Sequence, residues 1–291
     1  MSRASSNVTS DICLGPISLI VQDLDLMLDF YVSKLGLKVN KLGDRHIELR
    51  ANEKSAEPLL ILRHDAKAES APSDATGLYH YALLVPDRAS LAATYLALGR
   101  NGILFDGYAD HVVSEALYLT DPEGSGIEIC ADRASDEWKL DEDGGVQMGT
   151  LPLDVDSLLR EVSGILDTDL VPIAEGTRIG HMHLKVADLD RSIQFYMQVL
   201  GLNLMSYYEN AAFLSAGGYH HHIGMNTWES LGGPARKAGW SGLETFTIRI
   251  PEKQVSELSA SLMESHSLDS MDSGRLSLSD PDGIELLIRP M

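Results

Sequence analysis

An internal duplication constrains the fold of this 291-residue chain more than any other feature of its sequence. The segment VQDLDLMLDFYVSKLGLKV, which starts at Val21, recurs 165 residues later as VADLDRSIQFYMQVLGLNL from Val186. At the same displacement, GLYHYALLVPDRASLAATYLALGRNGI from Gly77 is matched more faintly by GLETFTIRIPEKQVSELSASLMESHSL from Gly242. Self-similarity at a fixed displacement is typical of repeated structural units. The sequence therefore indicates that one ancestral half was duplicated.

Each half itself contains two similar units. In each unit, a short apolar run leads to a V-x-D-type break, an amphipathic helix, and further apolar runs that end near a D-P-x-G turn. The first helix has apolar residues three or four positions apart, which predicts one buried face: Leu24, Leu28, Tyr31 and Leu35. We predict an α+β fold of four βαβββ modules, at roughly residues 12–65, 77–132, 177–229 and 242–290.

A linker separates the two halves. Residues 133–176 are acidic and rich in turn formers, beginning near SDEWKLDEDGG. Leu158, Leu159, Val162 and Ile165 recur at helical spacing within it, which predicts a short helix from about Val155 to Ile165. We predict a first domain at 12–132, this linker, and a second domain at 177–290.

Charge and cysteine content limit the classes of partner. The formal net charge of −20 and the pI near 4.7 oppose binding to nucleic acid or an anionic membrane, since such binding depends on lysine and arginine. The sequence contains only two cysteines, no apolar run that approaches 18 residues, and no apolar segment at the N-terminus that could serve as a signal. We therefore expect a reduced, cytoplasmic enzyme, and assembly into a homo-oligomer stays open.

The four modules, the paired V-x-D-L-D…FY…LGL signatures, the ending DPEGSGIE and the run GGYHHHIGMNTW resemble the vicinal oxygen chelate superfamily, which includes glyoxalases, bleomycin-resistance proteins and extradiol dioxygenases. The resemblance covers nearly the whole chain outside the linker. It is strongest to two-domain bacterial catechol 2,3-dioxygenases, through GLYHYALLVPDR, DHVVSEALYLTDP and GGYHHHIGMN. It implies two cups of mixed β-sheet with flanking helices, in which paired modules enclose a divalent metal. It also implies cleavage of a catechol ring by O₂ beside its two hydroxyls.

Two imidazoles and one carboxylate on one face of a metal are the ligand set of non-haem Fe(II) oxygenases. The resemblance places these ligands at His80 in GLYHYALLV, at Glu128 in GIEIC and at His181 in GHMHLKV. The implied cofactor is Fe(II), with Mn(II) as the other candidate ion. His183 alternates with His181 on one strand and is the rival ligand.

Cleavage of a catechol also requires proton transfer, because the substrate loses protons on binding and the dioxygen bond breaks with acid assistance. The resemblance implies that Tyr118 and His111 hold the substrate oxygens. It assigns the acid/base role to His222, the last histidine of HHHIG, with His221 beside it. Strand alternation would put His221 on the face opposite His222.

The duplication offers an internal comparison for these assignments. Most candidates have counterparts that cannot take the same role: Thr245 for His80, Pro16 for His181, Ser277 for Tyr118, and Ser270 near the counterpart of His111. Only Glu285, in DGIELL, matches Glu128 in identity. Every proposed functional residue therefore lies in the second or third module, whereas the better-known extradiol enzymes use the third and fourth. The sequence therefore predicts that the second module pairs with the third to share the metal, or that the linker lets an equivalent cup form.

Two other functions remain open from the sequence. A glyoxalase-like isomerase on Zn or Ni would commonly use more carboxylate or amide ligands, and would not need Tyr118, His111 and His222. A metal-free binding or resistance protein that sequesters an aromatic ligand would tolerate the loss of His80.

Overall fold

The computed structural model describes residues 12–41, 43, 45–140, 145–164, 170–264, 268–272 and 274–291. Each of the four modules has the predicted βαβββ order. Among helices in these ranges, none has the length and apolar character needed to cross a bilayer.

The first half of the chain contains the first two modules. The first consists of β1 Cys13–Val21, α1 Leu24–Leu28 with a π-helical continuation Asp29–Lys34, β2 Lys38–Lys41, β3 His46–Arg50 and β4 Leu60–His64. The second consists of β5 Gly77–Leu84, α2 Arg88–Arg100, β6 Gly107–Asp110, β7 Ser114–Thr120 and β8 Gly126–Asp132.

The linker and the second half follow. The linker contains a 3₁₀ turn at Ser135–Glu137 and the predicted short helix, α3 Val155–Arg160, whereas Ile165 lies outside the described residues. The third module consists of β9 Arg178–Lys185, α4 Leu189–Leu200, β10 Asn203–Tyr208, β11 Ala211–Ser215 and β12 Ile223–Asn226. The fourth consists of β13 Gly242–Ile250, α5 Glu252–Glu264, β14 Ser270–Asp272, β15 Arg275–Ser279 and β16 Glu285–Pro290.

The modules form two mixed sheets of eight strands, which confirms the predicted fold class. One sheet has the order β10-β11-β12-β9-β5-β8-β7-β6 and joins the second module to the third. The other has the order β14-β15-β16-β13-β1-β4-β3-β2 and joins the first module to the fourth. We call these the inner-module sheet and the outer-module sheet. The expected sharing of one sheet by the two middle modules is thus confirmed.

The predicted domains at 12–132 and 177–290 follow chain order, whereas each sheet contains strands from both of these ranges. Each sheet takes one module from each half, because the first strands of modules pair antiparallel across the halves: β5 with β9, and β1 with β13.

The V-x-D break in the repeat is a helix N-cap. The side chains of Asp23, Asp87 and Asp188 each accept a hydrogen bond from the amide three residues later, at the start of α1, α2 and α4. A side-chain oxygen at this position satisfies an amide that the helix cannot pair internally. At the other end of α4, Gly201 has a φ of +68°, the left-handed conformation that ends many helices.

The FY and D-P-x-G motifs of the repeat meet in the folded chain. The hydroxyl of Tyr31 donates to Asp121 at 2.8 Å, and the hydroxyl of Tyr81 donates to that of Tyr31 at 3.0 Å. In the second half, Tyr196 donates to Asp280 at 3.0 Å. These buried bonds join modules that belong to different sheets, so the motifs link the two sheets within each half of the chain.

Strand register corrects one correspondence expected from the sequence. Tyr118 pairs with Glu128 across β7 and β8, but its counterpart Ser277 pairs with Leu287 across β15 and β16. The two turns have the same length, and Gly126 is the residue of β8 that occupies the position of Glu285, since Gly126 pairs with Thr120 as Glu285 pairs with Ser279. The match of Glu285 with Glu128 is therefore wrong at the level of the strands.

Candidate metal centre

Three neighbouring strands of the inner-module sheet bring the predicted ligands together. Strand β5 carries His80 and lies between β8, which carries Glu128, and β9, which carries His181. His80 Nε2 lies 3.0 Å from Glu128 Oε2, and His181 Nε2 lies 3.2 Å from the same oxygen. One ligand atom from each residue lies within 4.8 Å of the other two. Among the described residues, this is the only group of at least three potential ligands so arranged.

Burial and charge leave His80 and Glu128 in the protonation states that a divalent cation needs. All three are buried, and burial lowers the pKa of His80, which favours the neutral imidazole. Burial alone would raise the pKa of Glu128, but the attraction and hydrogen bond of His181, together with the attraction of His80, outweigh it and hold this pKa well below its ordinary value. The site therefore offers an ionised carboxylate beside a neutral imidazole.

An orphaned atom indicates that these residues fit a metal. Within the described part of the chain, His80 Nε2 is buried without a hydrogen-bond partner, although it is close to the carboxylate. A buried polar nitrogen without a partner is unfavourable unless something else coordinates it. Two imidazole nitrogens and a carboxylate oxygen are also a donor set that Fe(II) accepts.

A glycine occupies the position where a fourth ligand would lie. His80 and His181 each precede a V-x-D break by five residues, which makes Ala82 the counterpart of His183. Ala82 pairs with Glu128, whereas His183 pairs with Gly224. The third module therefore supplies no carboxylate or amide side chain at the position equivalent to Glu128. The three-residue group therefore has no fourth protein ligand from the third module.

A cavity of about 620 Å³ surrounds the three ligands. Its volume is in the range of small-molecule sites in proteins. Aromatic side chains form much of its wall: Tyr79, Tyr118, Tyr208, Phe213 and Trp228. The linker contributes Met148, Gly149 and Thr150, so part of the cavity wall comes from the segment between the halves.

Tyr118 and His111 lie together on the cavity wall and form a hydrogen-bonded chain. The carbonyl of Gly149 can only accept, so His111 Nδ1, 2.7 Å away, is the protonated nitrogen of a neutral ring. His111 Nε2 then accepts from the hydroxyl of Tyr118 at 2.5 Å. Burial and the nearby charge of Glu128 raise the pKa of Tyr118 far above its ordinary value. Tyr118 is therefore a neutral phenol whose oxygen can still accept a hydrogen bond.

The HHH run places His221, and not His222, at the cavity. His221 is among the described residues that line it, and its ring centroid lies 4.2 Å from that of His181. His222 is absent from that lining; its Nδ1 accepts from the amide of Ala216 at 3.4 Å and contacts Ser215 Oγ at 2.8 Å. The three residues precede β12 and are not in a regular strand, so strand alternation could not have decided which histidine faces the site.

A second chain of hydrogen bonds fixes the tautomer of His221. Asp132 accepts from His220 Nε2 at 3.1 Å, which leaves His220 Nδ1 as an acceptor in the neutral ring. His221 Nδ1, 2.8 Å away, must then be the donor. This arrangement leaves His221 Nε2 with a free lone pair, and burial lowers the pKa of His221 well below its ordinary value. Sequence reasoning did not find the contributions of His220 and Asp132.

His183 lines the cavity but lies outside the three-ligand group, as expected when His181 was preferred. Its Nε2 is 3.0 Å from the side-chain amide of Asn226, and its ring packs against those of Tyr79 and Trp228. His183 therefore belongs to the aromatic wall.

Comparison with known proteins agrees with the fold and the site. The model of the Glyoxalase/Bleomycin resistance protein/Dioxygenase superfamily matches residues 14–129 and 178–288, and the chain belongs to this superfamily. Within it, the chain is 40% identical over 258 residues to the catechol-2,3-dioxygenase of Bacillus subtilis (strain 168), a match that covers 88% of each protein. The resemblance predicted from the motifs is thus confirmed.

Solved structures share the architecture at low sequence identity. Glyoxalase I from Zea mays aligns with a TM-score of 0.55 at 17% identity, covering 96% of this chain and 92% of the maize chain. The cppA protein of Streptococcus pneumoniae TIGR4 aligns with a TM-score of 0.57 at 13% identity, covering 98% and 99% of the two chains. At these identities the likeness establishes the fold alone.

Proposed function

We propose that the protein is an extradiol dioxygenase that opens the ring of a catechol with O₂, using Fe(II) held by His80, His181 and Glu128. The observation that carries this proposal is a buried group of two imidazoles and one carboxylate whose fourth protein position is a glycine. Such a site leaves room for both a bidentate substrate and dioxygen. The 40% identical relative named catechol-2,3-dioxygenase supports the same substrate class.

The open fourth position also favours this function over a glyoxalase-like isomerase. An isomerase site commonly uses further carboxylate or amide ligands, and Gly224 provides neither. A Cβ atom at Gly224 would lie 3.1 Å from His183 Nδ1, so a larger residue would require the histidine to move.

The protein side chains would orient the substrate and handle its protons. His221 Nε2, held as an acceptor by His220 and Asp132, can take the proton that a catechol hydroxyl loses on binding and return it later as an acid. We therefore assign to His221 the role predicted for His222. Tyr118 can accept a hydrogen bond from the other hydroxyl while it donates to His111.

The aromatic wall would hold the ring of the substrate and exclude water. Tyr79 and Trp228 pack edge to face with ring centroids 5.3 Å apart, and Phe213 lies 4.9 Å from the ring of His221. Aromatic faces of this kind bind a flat apolar ring well. When bound, Fe(II) would supply the redox chemistry that allows dioxygen to react with the ring.

The proposal is tested with protein purified without oxygen and loaded with iron. We expect about one iron per chain by mass spectrometry, O₂ consumption with catechol, and a yellow ring-fission product. His80→Ala should lose both metal and turnover, since a three-ligand site missing one ligand loses affinity and geometry together. His46→Ala, which changes an exposed histidine of the outer-module sheet, is the matched control and should keep both.

Three results would contradict the proposal. Neither O₂ uptake nor a coloured product across a panel of catechols would exclude extradiol cleavage. Stoichiometric zinc or nickel with isomerase activity would favour the glyoxalase-like function. Unchanged binding of an aromatic ligand in metal-free His80→Ala protein would favour a binding protein.

A further inference from the structure

The outer-module sheet carries a row of three arginines across three adjacent strands. Arg249 on β13 pairs directly with Arg289 on β16. On the other side of β16, Leu276 pairs with Ile288, which brings Arg275 at the start of β15 next to Arg289. Residues paired in this way project from the same face of a sheet, and like charges opposite each other destabilise it.

The inner-module sheet shows that the scaffold does not require this row. Leu84 is the counterpart of Arg249, since Leu84 directly precedes the segment VPD and Arg249 directly precedes the segment IPE. Ala116 is the counterpart of Arg275, since both residues lie at the same distance before the aspartate of a D-P turn. Leu84 and Ala116 both pair with Cys130, which is thus the counterpart of Arg289. These three counterparts form a buried apolar cluster. Arginines in the outer-module sheet therefore replace what is otherwise a small hydrophobic core.

The arginines line a cavity of about 220 Å³ together with Pro16, Glu57 and Pro290. Pro16 is the counterpart of the ligand His181, so this cavity lies on the face of the outer-module sheet that corresponds to the metal centre.

The positive charge in this cavity is incompletely balanced. Glu57, which is half-exposed, is the one acidic residue of the lining and lies 3.6 Å from Arg249. Arg289 Nε is buried and, within the described residues, has no hydrogen-bond partner. Burial, and then the charges of Arg275 and Arg249, lower the pKa of Arg289 below its ordinary value, with Glu57 opposing them. Unbalanced cations are notable in a protein whose formal net charge is −20.

We propose that this cavity is a second ligand site, which binds a small oxyanion carrying two negative charges, such as inorganic phosphate or a short dicarboxylate. Three guanidinium groups exceed the nearby carboxylates, Glu57 in the lining and Asp272 opposite Arg275, so the site keeps a positive charge that an oxyanion neutralises. Guanidinium groups form paired, charge-assisted hydrogen bonds with planar carboxylates and with phosphate oxygens. The site is independent of the proposed dioxygenase activity.

Titration calorimetry and thermal unfolding of the full-length, iron-loaded protein test the proposal. The probes are inorganic phosphate and malonate, compared with chloride at equal ionic strength. We expect one of the two dianions to bind and to raise the unfolding temperature, since a ligand that binds only the folded state stabilises it. Arg289→Gln and Arg275→Gln should each weaken that binding by about tenfold or more, because each removes a charge-assisted contact. Arg160→Gln, an exposed arginine on α3, is the matched control and should bind like the wild type.

The variants also separate binding from folding. Without the anion, Arg289→Gln should unfold at the same temperature as the wild type or a higher one, because it relieves repulsion within the row. Glu128→Gln should keep the dianion affinity, which distinguishes this cavity from the metal centre. Stabilisation by phosphate alone or by malonate alone would identify the ligand class. Stabilisation no greater than that by chloride, or equal affinity in Arg289→Gln, would overturn the proposal.

Discussion

Replacing His221 and His222 separately by phenylalanine tests which histidine of the HHH run transfers protons. His221 lines the cavity, with its Nδ1 bound to His220 and its Nε2 free to accept. His222 has its Nδ1 occupied by Ser215 and Ala216. Phenylalanine keeps a ring of similar size at either position and removes both nitrogens. The two variants therefore differ in which set of partners is lost.

The structure predicts opposite consequences for the two variants. His221→Phe should lower kcat by about 10²–10⁴-fold, the usual contribution of a general acid/base. His222→Phe should leave kcat nearly unchanged and lower the free energy of unfolding by about 1–3 kcal/mol, because it leaves the buried amide of Ala216 without its acceptor.

The pH dependence of stability tests the burial of His222, although it does not separate the two histidines, because burial also lowers the pKa of His221. Burial lowers the pKa of His222 to about 3, against an ordinary value of about 6.5 in the unfolded chain. Between these values the unfolded chain binds a proton that the folded state does not. Stability is therefore lost as the pH falls below about 6.5, by up to ~1.4 kcal/mol per pH unit from this residue. His222→Phe should reduce that slope by up to ~1.4 kcal/mol per pH unit, which corresponds to the uptake of one proton on unfolding.

The assay measures kcat at saturating catechol and O₂, normalised to bound iron, together with denaturant unfolding between pH 5 and pH 8. Equal iron content in the variants and the wild type would exclude loss of metal as the cause of slow turnover. A fall of about a hundredfold in kcat for His222→Phe, with His221→Phe as fast as the wild type, would refute the assignment of His221. It would restore the role predicted for His222 from the sequence.

Two further predictions follow from the metal centre and from the bonds between the sheets. Glu128→Gln should abolish iron retention and O₂ consumption, since it removes the only carboxylate of the three-ligand group. Glu285→Gln should change neither. The reverse pattern would move the site to the outer-module sheet. Tyr31→Phe should lower the free energy of unfolding by about 1–3 kcal/mol in a urea titration, because Asp121 and Tyr81 lose a buried hydrogen-bond partner. Unchanged stability would mean that this bond contributes nothing to joining the sheets.

The sequence predicted those features that depend on local chemistry. Each module follows from a short motif, since an aspartate such as Asp188 caps a helix wherever it precedes one and Gly201 ends that helix. Residues fixed on adjacent strands were also predictable. His80 and His181 could be identified because first strands of paired modules are neighbours, and both lie in the group found in the structure.

The features that the sequence did not predict depend on register and on irregular segments. The two hairpins have the same register, but Glu128 lies two residues further along its strand than Glu285 does, so identity in the aligned sequences did not mean equivalence in the sheet. The resemblance assigns the acid/base role to His222, which stays a prediction; the HHH run lies outside regular strands, so alternation does not predict which of its side chains faces the cavity. The linker was expected only to connect the halves, yet Gly149 binds His111 at the cavity.

The arrangement of modules is itself decided by the residues that the duplication has lost. Pairing the first module with the second would bring His80 and Glu128 beside Pro16, and pairing the third with the fourth would bring His181 beside Thr245. Neither arrangement assembles two imidazoles and a carboxylate. Only the antiparallel pairing of β5 with β9 places all three ligands on adjacent strands, and this is the pairing found in the structure. Because both halves contribute to this group, the first and fourth modules need supply no residue to it.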